Sequence, residues 1–182
     1  MSHYRRAQTA GGCYFFTVVS YHRKTILCDD IFRNALRIAI EKTRQQYPFK
    51  IDAWVLMPDH LHCVWTLPKG DANFSVRWGK IKRYVSIACR DHYTYNGQLS
   101  ISKKKHREST VWQRRFWEHQ IRDQEDFHRH IDYIHYNPVK HGLCEAPIQW
   151  PYSTFQRYVR EGKYPWDWAL RDSAVEGLQC GE

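Results

Sequence analysis

Apolar and polar positions along the chain alternate between a short, strand-like period and a longer, helical one. Residues 13–20 are aromatic and β-branched and follow Gly11 and Gly12, which predicts a strand after an N-terminal arm. Asp29 or Asp30 can cap a helix running to about Tyr47, with Ile31, Ala35, Ile38 and Ala39 on its apolar stripe, and Pro48 ends it. The apolar runs 51–57 and 60–67 predict two strands joined near Pro58 and Asp59, with a loop after them. Asn73 to about His92 predicts an amphipathic helix. Phe74, Trp78, Ile81, Tyr84 and Ile87 form its apolar side, and Arg77, Lys80, Lys82, Arg83 and Arg90 a basic, solvent-facing one. Residues 93–110 are polar and loop-like and hold a basic run at 103–107. Residues 111–122 are extended, as one strand or two short ones. Asp123 caps a last helix from Gln124 to about Tyr136, closed by Pro138 and Gly142, and the remainder is irregular and packs on its aromatics.

This order, β-α-β-β-α-β-(β)-α, predicts an α+β fold: a ferredoxin-like sandwich with a central antiparallel sheet and helices packed on it. One catalytic-sized unit, 11–160, lies between an arm, 1–10, and a C-terminal tail, 161–182, with no internal repeat.

Composition narrows the class. With 182 residues, 42% hydrophobic and 15% aromatic, the chain can bury a core and is not a disordered one. A net charge of +9 fits either a polyanionic partner or a merely basic soluble protein. Eight Trp and twelve Tyr beside 28 Lys and Arg favour nucleic acid, because bases stack on aromatic rings. The six cysteines are scattered with no CxxC pair, which points to unpaired thiols in a reducing compartment. No apolar run reaches transmembrane length and the first residues lead into no signal-like segment, so the expectation is a soluble cytoplasmic protein without a membrane partner.

The candidate chemistry starts from His60-Leu61-His62. On a strand, His60 and His62 point to the same face, where two imidazoles can hold one metal ion. Asp59 is placed to orient them. Downstream, Tyr133 and Asn137 lie four apart on one helix face, so an amide oxygen and a phenol can approach the same point. Two imidazoles and an amide leave a cation's charge uncancelled and attractive to phosphate oxygens. The plainer reading is an ordinary helix with core tyrosines and a capping Asn137, and it stands if the histidines are set aside.

The ordered set Met57-Pro58-Asp59-His60-Leu61-His62, then residues 112–122, then Tyr133 to Leu143 resembles the single-tyrosine HUH transposases, and most of all their REP-associated tyrosine branch, over about residues 11–160. The resemblance implies that His60, His62 and Asn137 bind a divalent ion, Mg²⁺ or Mn²⁺. It implies that Tyr133 attacks a DNA phosphate to give a 5′-phosphotyrosine link and a free 3′-OH. The implied substrate is single-stranded DNA with a hairpin and a short tetranucleotide at its foot, and the implied state is a monomer, with a dimer that trades tyrosine helices as the other possibility. Tyr136 is the competing nucleophile. Arg5, Arg6, Lys80, Arg83, Arg114 and Arg115 are candidate phosphate contacts, though each taken singly reads first as a solvated charge. Two other functions compete: a nucleic-acid-binding protein that has lost catalysis, and a metallo-oxidase, which Asn137 in place of a carboxylate ligand argues against.

Overall fold

A computed structural model describes residues 9–93 and 110–169; Arg5, Arg6 and the basic run at 103–107 lie outside the described residues. Four strands, β1 (Cys13–Val19), β2 (Lys50–Leu56), β3 (His60–Thr66) and β4 (Trp117–Gln120), form one antiparallel sheet in the order β2-β3-β1-β4. Helices α1 (Asp30–Gln46) and α2 (Phe74–Ala88) complete the ferredoxin-like β-α-β-β-α-β pattern. Helix α3 (Gln124–Lys140) packs on the opposite face of the sheet, and a short α4 (Phe155–Arg160) follows.

Strand alternation sorts the side chains into two cores. Tyr14, Phe16 and Val18 of β1 join Leu61, Cys63 and Trp65 of β3 in the layer under α1 and α2, where Trp65 stacks on Trp78 at 4.3 Å. The alternate residues, Phe15 and Val64, face Ile131, Tyr133 and Ile134 of α3. His60 and His62 share that second face with Val64, so the same alternation that builds the cores turns both imidazoles toward α3.

The helices differ from the sequence pattern in instructive ways. In α1, Phe32, Ala35, Leu36 and Ala39 are buried while Ile31 and Ile38 are exposed: the buried stripe is rotated from the predicted one, with Phe32 and Leu36 on the core side. Asp29 sits at the N-cap position, but its carboxylate accepts from the Tyr93 hydroxyl rather than from the helix, and Asp30 pairs with Arg33. In α2, Ile87 is exposed and Arg77 is fully buried, contrary to its predicted solvent position. Its guanidinium donates to the Tyr47, Pro48 and Asn73 carbonyls and to Asp71. A planar guanidinium with five donors can meet three carbonyls and a carboxylate at once, whereas a Lys ammonium has only three donors. Arg77→Leu is therefore expected to cost about 3 kcal/mol, read as a lower urea midpoint at unchanged slope. A loss below about 1 kcal/mol would mean that water replaces the guanidinium.

Helix α3 runs through Pro138 to Lys140, one turn beyond the predicted end. Its stop is Gly142, whose positive φ lets the Gly142 N–H reach the Val139 carbonyl and the Leu143 N–H reach the Pro138 carbonyl. The segment expected to be irregular instead covers the edge of β2: Trp54 and Leu56 exchange hydrogen bonds with Tyr152 and Thr154. Residues 111–122 form one strand and an isolated bridge, Ser20 to Trp112.

Candidate active site

The turn after β2 places the histidine pair. The Met57 N–H bonds the His60 carbonyl, and the Asp59 and Pro58 carbonyls accept from Ser20 and Leu27, which anchors the turn and starts β3 at His60. The two imidazole centroids lie 4.8 Å apart. Each ring is held through its Nδ1. His60 Nδ1 lies 2.6 Å from Asp59 Oδ1, and Asp59 also takes a 3.0 Å bond from Arg23. His62 Nδ1 lies 2.9 Å from the hydroxyl of Thr17, its neighbour across β1. Partial burial works against ionisation of Asp59, but the bonds and charges of His60 and Arg23 outweigh it and hold the carboxyl below its ordinary range. With Nδ1 engaged in both rings, Nε2 is the atom left to act, the arrangement that outer partners give to metal-binding histidines. His62 Nε2 is buried and has no hydrogen-bond partner among the described residues. Burial first, then the positive charge of His60, His141, Lys140 and Arg23, push the His62 pKa well below its usual value, so the ring is a neutral donor.

Helix α3 brings the second half. The Tyr133 ring, 1% exposed, meets His62 edge-on at 5.1 Å. Just past the end of the helix, at its C-cap, the His141 ring lies 5.3 Å from His60. Asn137 is four residues from both Tyr133 and His141 and so shares this helix face with Tyr133. It is fully buried, and among the described residues neither its Oδ1 nor its Nδ2 has a hydrogen-bond partner. Buried amide atoms are costly when unmet. Two imidazole nitrogens, one shown unpartnered, beside an unpartnered amide oxygen are a donor set suited to a divalent cation. Tyr136 turns away, its ring against Trp168 at 6.5 Å. The Lys140 ammonium lies 5.1 Å over the Tyr133 ring.

The open side of the pair is a cleft of about 480 Å³ lined by Thr17, Arg23, His60, His62, Arg115 and Trp117 among others. Arg115 is thus the one predicted basic residue among the described ones that lines this cleft. Arg114 is exposed beside it, and its carbonyl accepts from Lys82. Lys80 and Arg83 ride on α2, in the layer across the sheet from the histidines. Sequence reasoning gave no role to Arg23, Thr17, Trp117 or His141. The signal for Thr17 and Trp117 is strand register, which composition does not reveal. Arg23 and His22 have positive φ, a backbone state no motif announces.

A second cluster, His119, Asp126 and His130, brings one ligand atom from each residue within 4.8 Å of the others. Here the carboxylate is already well occupied: Asp126 Oδ2 accepts from His119 Nε2 and from the side-chain and main-chain N–H of Arg122, and the His130 ring donates to the Asp126 carbonyl. This network fastens the first turn of α3 to β4 and so sets the tilt at which Tyr133, two turns later, meets the sheet. Burial opposes ionisation of Asp126, but these bonds prevail and hold its pKa well below the carboxylate range. A depressed carboxyl stabilises the fold fully above its unfolded value of about 3.9, and the contribution fades as pH falls toward the folded value. Asp126→Asn should lower stability by about 2 kcal/mol at pH 7, with the gap to the native chain narrowing below about pH 4. Urea midpoints at both pH values test this, and a gap of constant size would refute it.

A ferredoxin-like sheet that presents paired imidazoles to a helix bearing a tyrosine and an amide one turn apart defines the single-tyrosine HUH class. Residues 10–137 match the family described as transposase IS200 like, and the chain belongs to that family, in its REP-associated tyrosine transposase branch. It is 46% identical over 169 residues to the REP-associated tyrosine transposase of Escherichia coli (strain K12), covering 93% of this chain and 92% of that protein. A Haemophilus influenzae relative is 46% identical over 173 residues, covering 92% of this chain and 93% of its own length. A solved REP-associated tyrosine transposase bound to a REP hairpin superposes with a TM-score of 0.78 at 43% identity over 96% of each chain. The chain is thus a transposase, an enzyme that cuts DNA. Among the described residues, no helix is long and apolar enough to cross a membrane.

Proposed function

We propose that this transposase nicks and rejoins single-stranded DNA carrying a hairpin of the repetitive-palindrome type, with Tyr133 as nucleophile. The observation that carries the reading is the pair of buried donors without hydrogen-bond partners among the described residues, His62 Nε2 and the Asn137 amide, on the strand and the helix that bring the His62 and Tyr133 rings together. His60, His62 and Asn137 would hold Mg²⁺ or Mn²⁺, hard enough for the amide and tolerant of imidazole. When bound, such an ion supplies Lewis-acid polarisation of a phosphate oxygen.

The chain's own residues do the rest. The Tyr133 phenol loses its proton and its oxygen forms a bond to the scissile phosphorus. The P–O3′ bond breaks, the departing oxygen takes up a proton, and the 5′-phosphate stays on the tyrosine. Lys140, over the phenol ring, stabilises the charge that develops on that oxygen. No water enters the balance, so the bond energy is retained and a 3′-OH can reverse the step. Arg23 and Arg115 would grip flanking phosphates in the cleft. Arg5, Arg6, Lys80, Arg83 and Arg114 would contribute longer-range attraction to DNA.

The proposal extends to a cytoplasmic protein acting as a monomer, with residues 11–160 as the catalytic unit. Residues 1–10 would be an arm, and 161–182 a tail that begins by packing Tyr164 and Trp168 on α3 and α4. A dimer that exchanges α3 is the other assembly, and light scattering separates the two. The function is tested with hairpin DNA labelled on either side of the cut and incubated with Mn²⁺. A denaturant-resistant adduct that retains only the label 3′ of the cut is expected. Binding without any adduct would instead identify an inactive DNA-binding protein.

A further inference from the structure

The cleft carries a side chain for which the phosphate chemistry has no use. Trp117 is 39% exposed on the edge strand β4, and it lines the cleft with His60 and His62. An indole left open on a sheet edge is a liability unless something covers it in use. Its placement is tightly fixed. Thr17 pairs with Trp117 on one side and with His62 on the other, so the three residues stand in a row on one face of β4, β1 and β3. Two inter-strand spacings, about 9.6 Å, separate the backbone of Trp117 from that of His62. Phe15 meets the indole edge-on at 5.7 Å, and the His119 ring lies parallel to it at 6.0 Å and 6°. His119 is itself held by buried Asp126. The indole is thus backed on one face by a fixed ring, and the exposed remainder looks into the cleft. Arg115 and the buried Glu118 also line the cleft.

We propose that Trp117 is a stacking platform for an unpaired base beside the scissile phosphate, so that this position selects an unstacked nucleotide and sets the register of the strand over Tyr133. The inference rests on the nickase reading and assigns Trp117 a positioning role within it. A rigid aromatic face binds any base by stacking and costs little conformational entropy. A base still paired in the hairpin stem presents only its edge to the groove and cannot reach that face. Discrimination between the single-stranded foot and the stem would then arise at this residue.

The test uses the full chain and a hairpin DNA scanned with single abasic sites on both sides of the cut. Affinity and nicking rate are measured for the native protein, Trp117→Ala and Trp117→Phe. Trp117→Ala should weaken binding of the intact hairpin by about 5- to 100-fold, and Trp117→Phe should restore most of it. At one abasic position next to the cut, the native protein should show the same loss and Trp117→Ala no further one. A 2-aminopurine at that position should be quenched on binding to the native chain and not to Trp117→Ala. Loss in Trp117→Ala that adds to every abasic substitution alike would overturn the proposal and leave Trp117 a structural residue, as would an unchanged affinity. Absence of nicking by the native protein on every hairpin would sink the nickase reading instead, and the affinity cycle would still decide whether a base stacks on Trp117.

Discussion

Tyr133→Phe is expected to abolish the covalent protein–DNA adduct, with nicking lowered on the order of 10⁴-fold or more, while hairpin affinity stays within about twofold. The substitution removes one oxygen from a ring that is otherwise buried, so the contacts of Tyr133 with His62 and Phe15 are kept. What is lost is the only phenol the helix turns to the imidazoles: Tyr136 faces Trp168 and cannot reach them without rotation of α3. Tyr136→Phe should therefore nick at close to the native rate. An adduct that survives in Tyr133→Phe and disappears in Tyr136→Phe would reverse the assignment. It would also imply a rearranged helix, which the Asp126 network at its first turn and the Gly142 stop at its last both oppose. Lys140→Met gives a graded companion result: nicking should fall about 10- to 100-fold with little change in affinity for uncleaved DNA, because the ammonium acts on charge that appears only during the reaction.

Much of this architecture was legible in the residue pattern, and the misses have physical causes. The strands were readable because their alternation serves two buried faces at once: Tyr14, Phe16 and Val18 fill one core while Phe15 fills the other. Helix faces were harder. Arg77 looks like a solvent residue by charge, yet three carbonyls near the α1–β2 junction need donors, and only the tertiary arrangement creates that need. Pro138 looks like a helix stop. It falls in the last turn of the helix, and the true termination comes from the positive φ of Gly142. The covering of the β2 edge by Tyr152 and Thr154 leaves no periodic trace, since edge pairing by an irregular segment needs no alternation.

The site divides along the same line. His60, His62, Tyr133 and Asn137 are proposed from local periods, two on a strand and four on a helix; the His62 ring meets both His60 and Tyr133, and Asn137 is buried one turn after Tyr133. What local period could not give is how the histidines are held. Thr17 reaches His62 only because β1 and β3 pair in one register, and Arg23 reaches Asp59 only because His22 and Arg23 turn through a left-handed backbone beside the cleft. Long-range register is a property of the assembled sheet, and a one-residue slip would have sent Thr17 to the other face.

The same distinction between held and holding residues leads to the second large effect. His60→Ala with His62→Ala should reduce Mn²⁺ affinity by at least about 100-fold, read by electron paramagnetic resonance of free Mn²⁺ in the absence of DNA, and nicking should fall with it. Asn137→Ala should weaken binding less, because an amide oxygen is a poorer donor than an imidazole, yet it should also relieve an unmet buried amide and so leave thermal stability unchanged or higher. Thr17→Val leaves both imidazoles in place but removes the oxygen that fixes the His62 ring, and a loss of about 10- to 100-fold in Mn²⁺ affinity follows from that alone. The competing location is the His119, Asp126 and His130 cluster, where ligand atoms are close but Asp126 is already bonded to Arg122 and His119. His119→Ala with His130→Ala should therefore leave Mn²⁺ affinity intact while lowering stability, since it strips partners from a buried carboxylate. If instead that double variant loses Mn²⁺ and the His60, His62 variant retains it, the metal belongs at the root of α3, and the unpartnered His62 and Asn137 atoms must be explained by direct contact with the DNA phosphate.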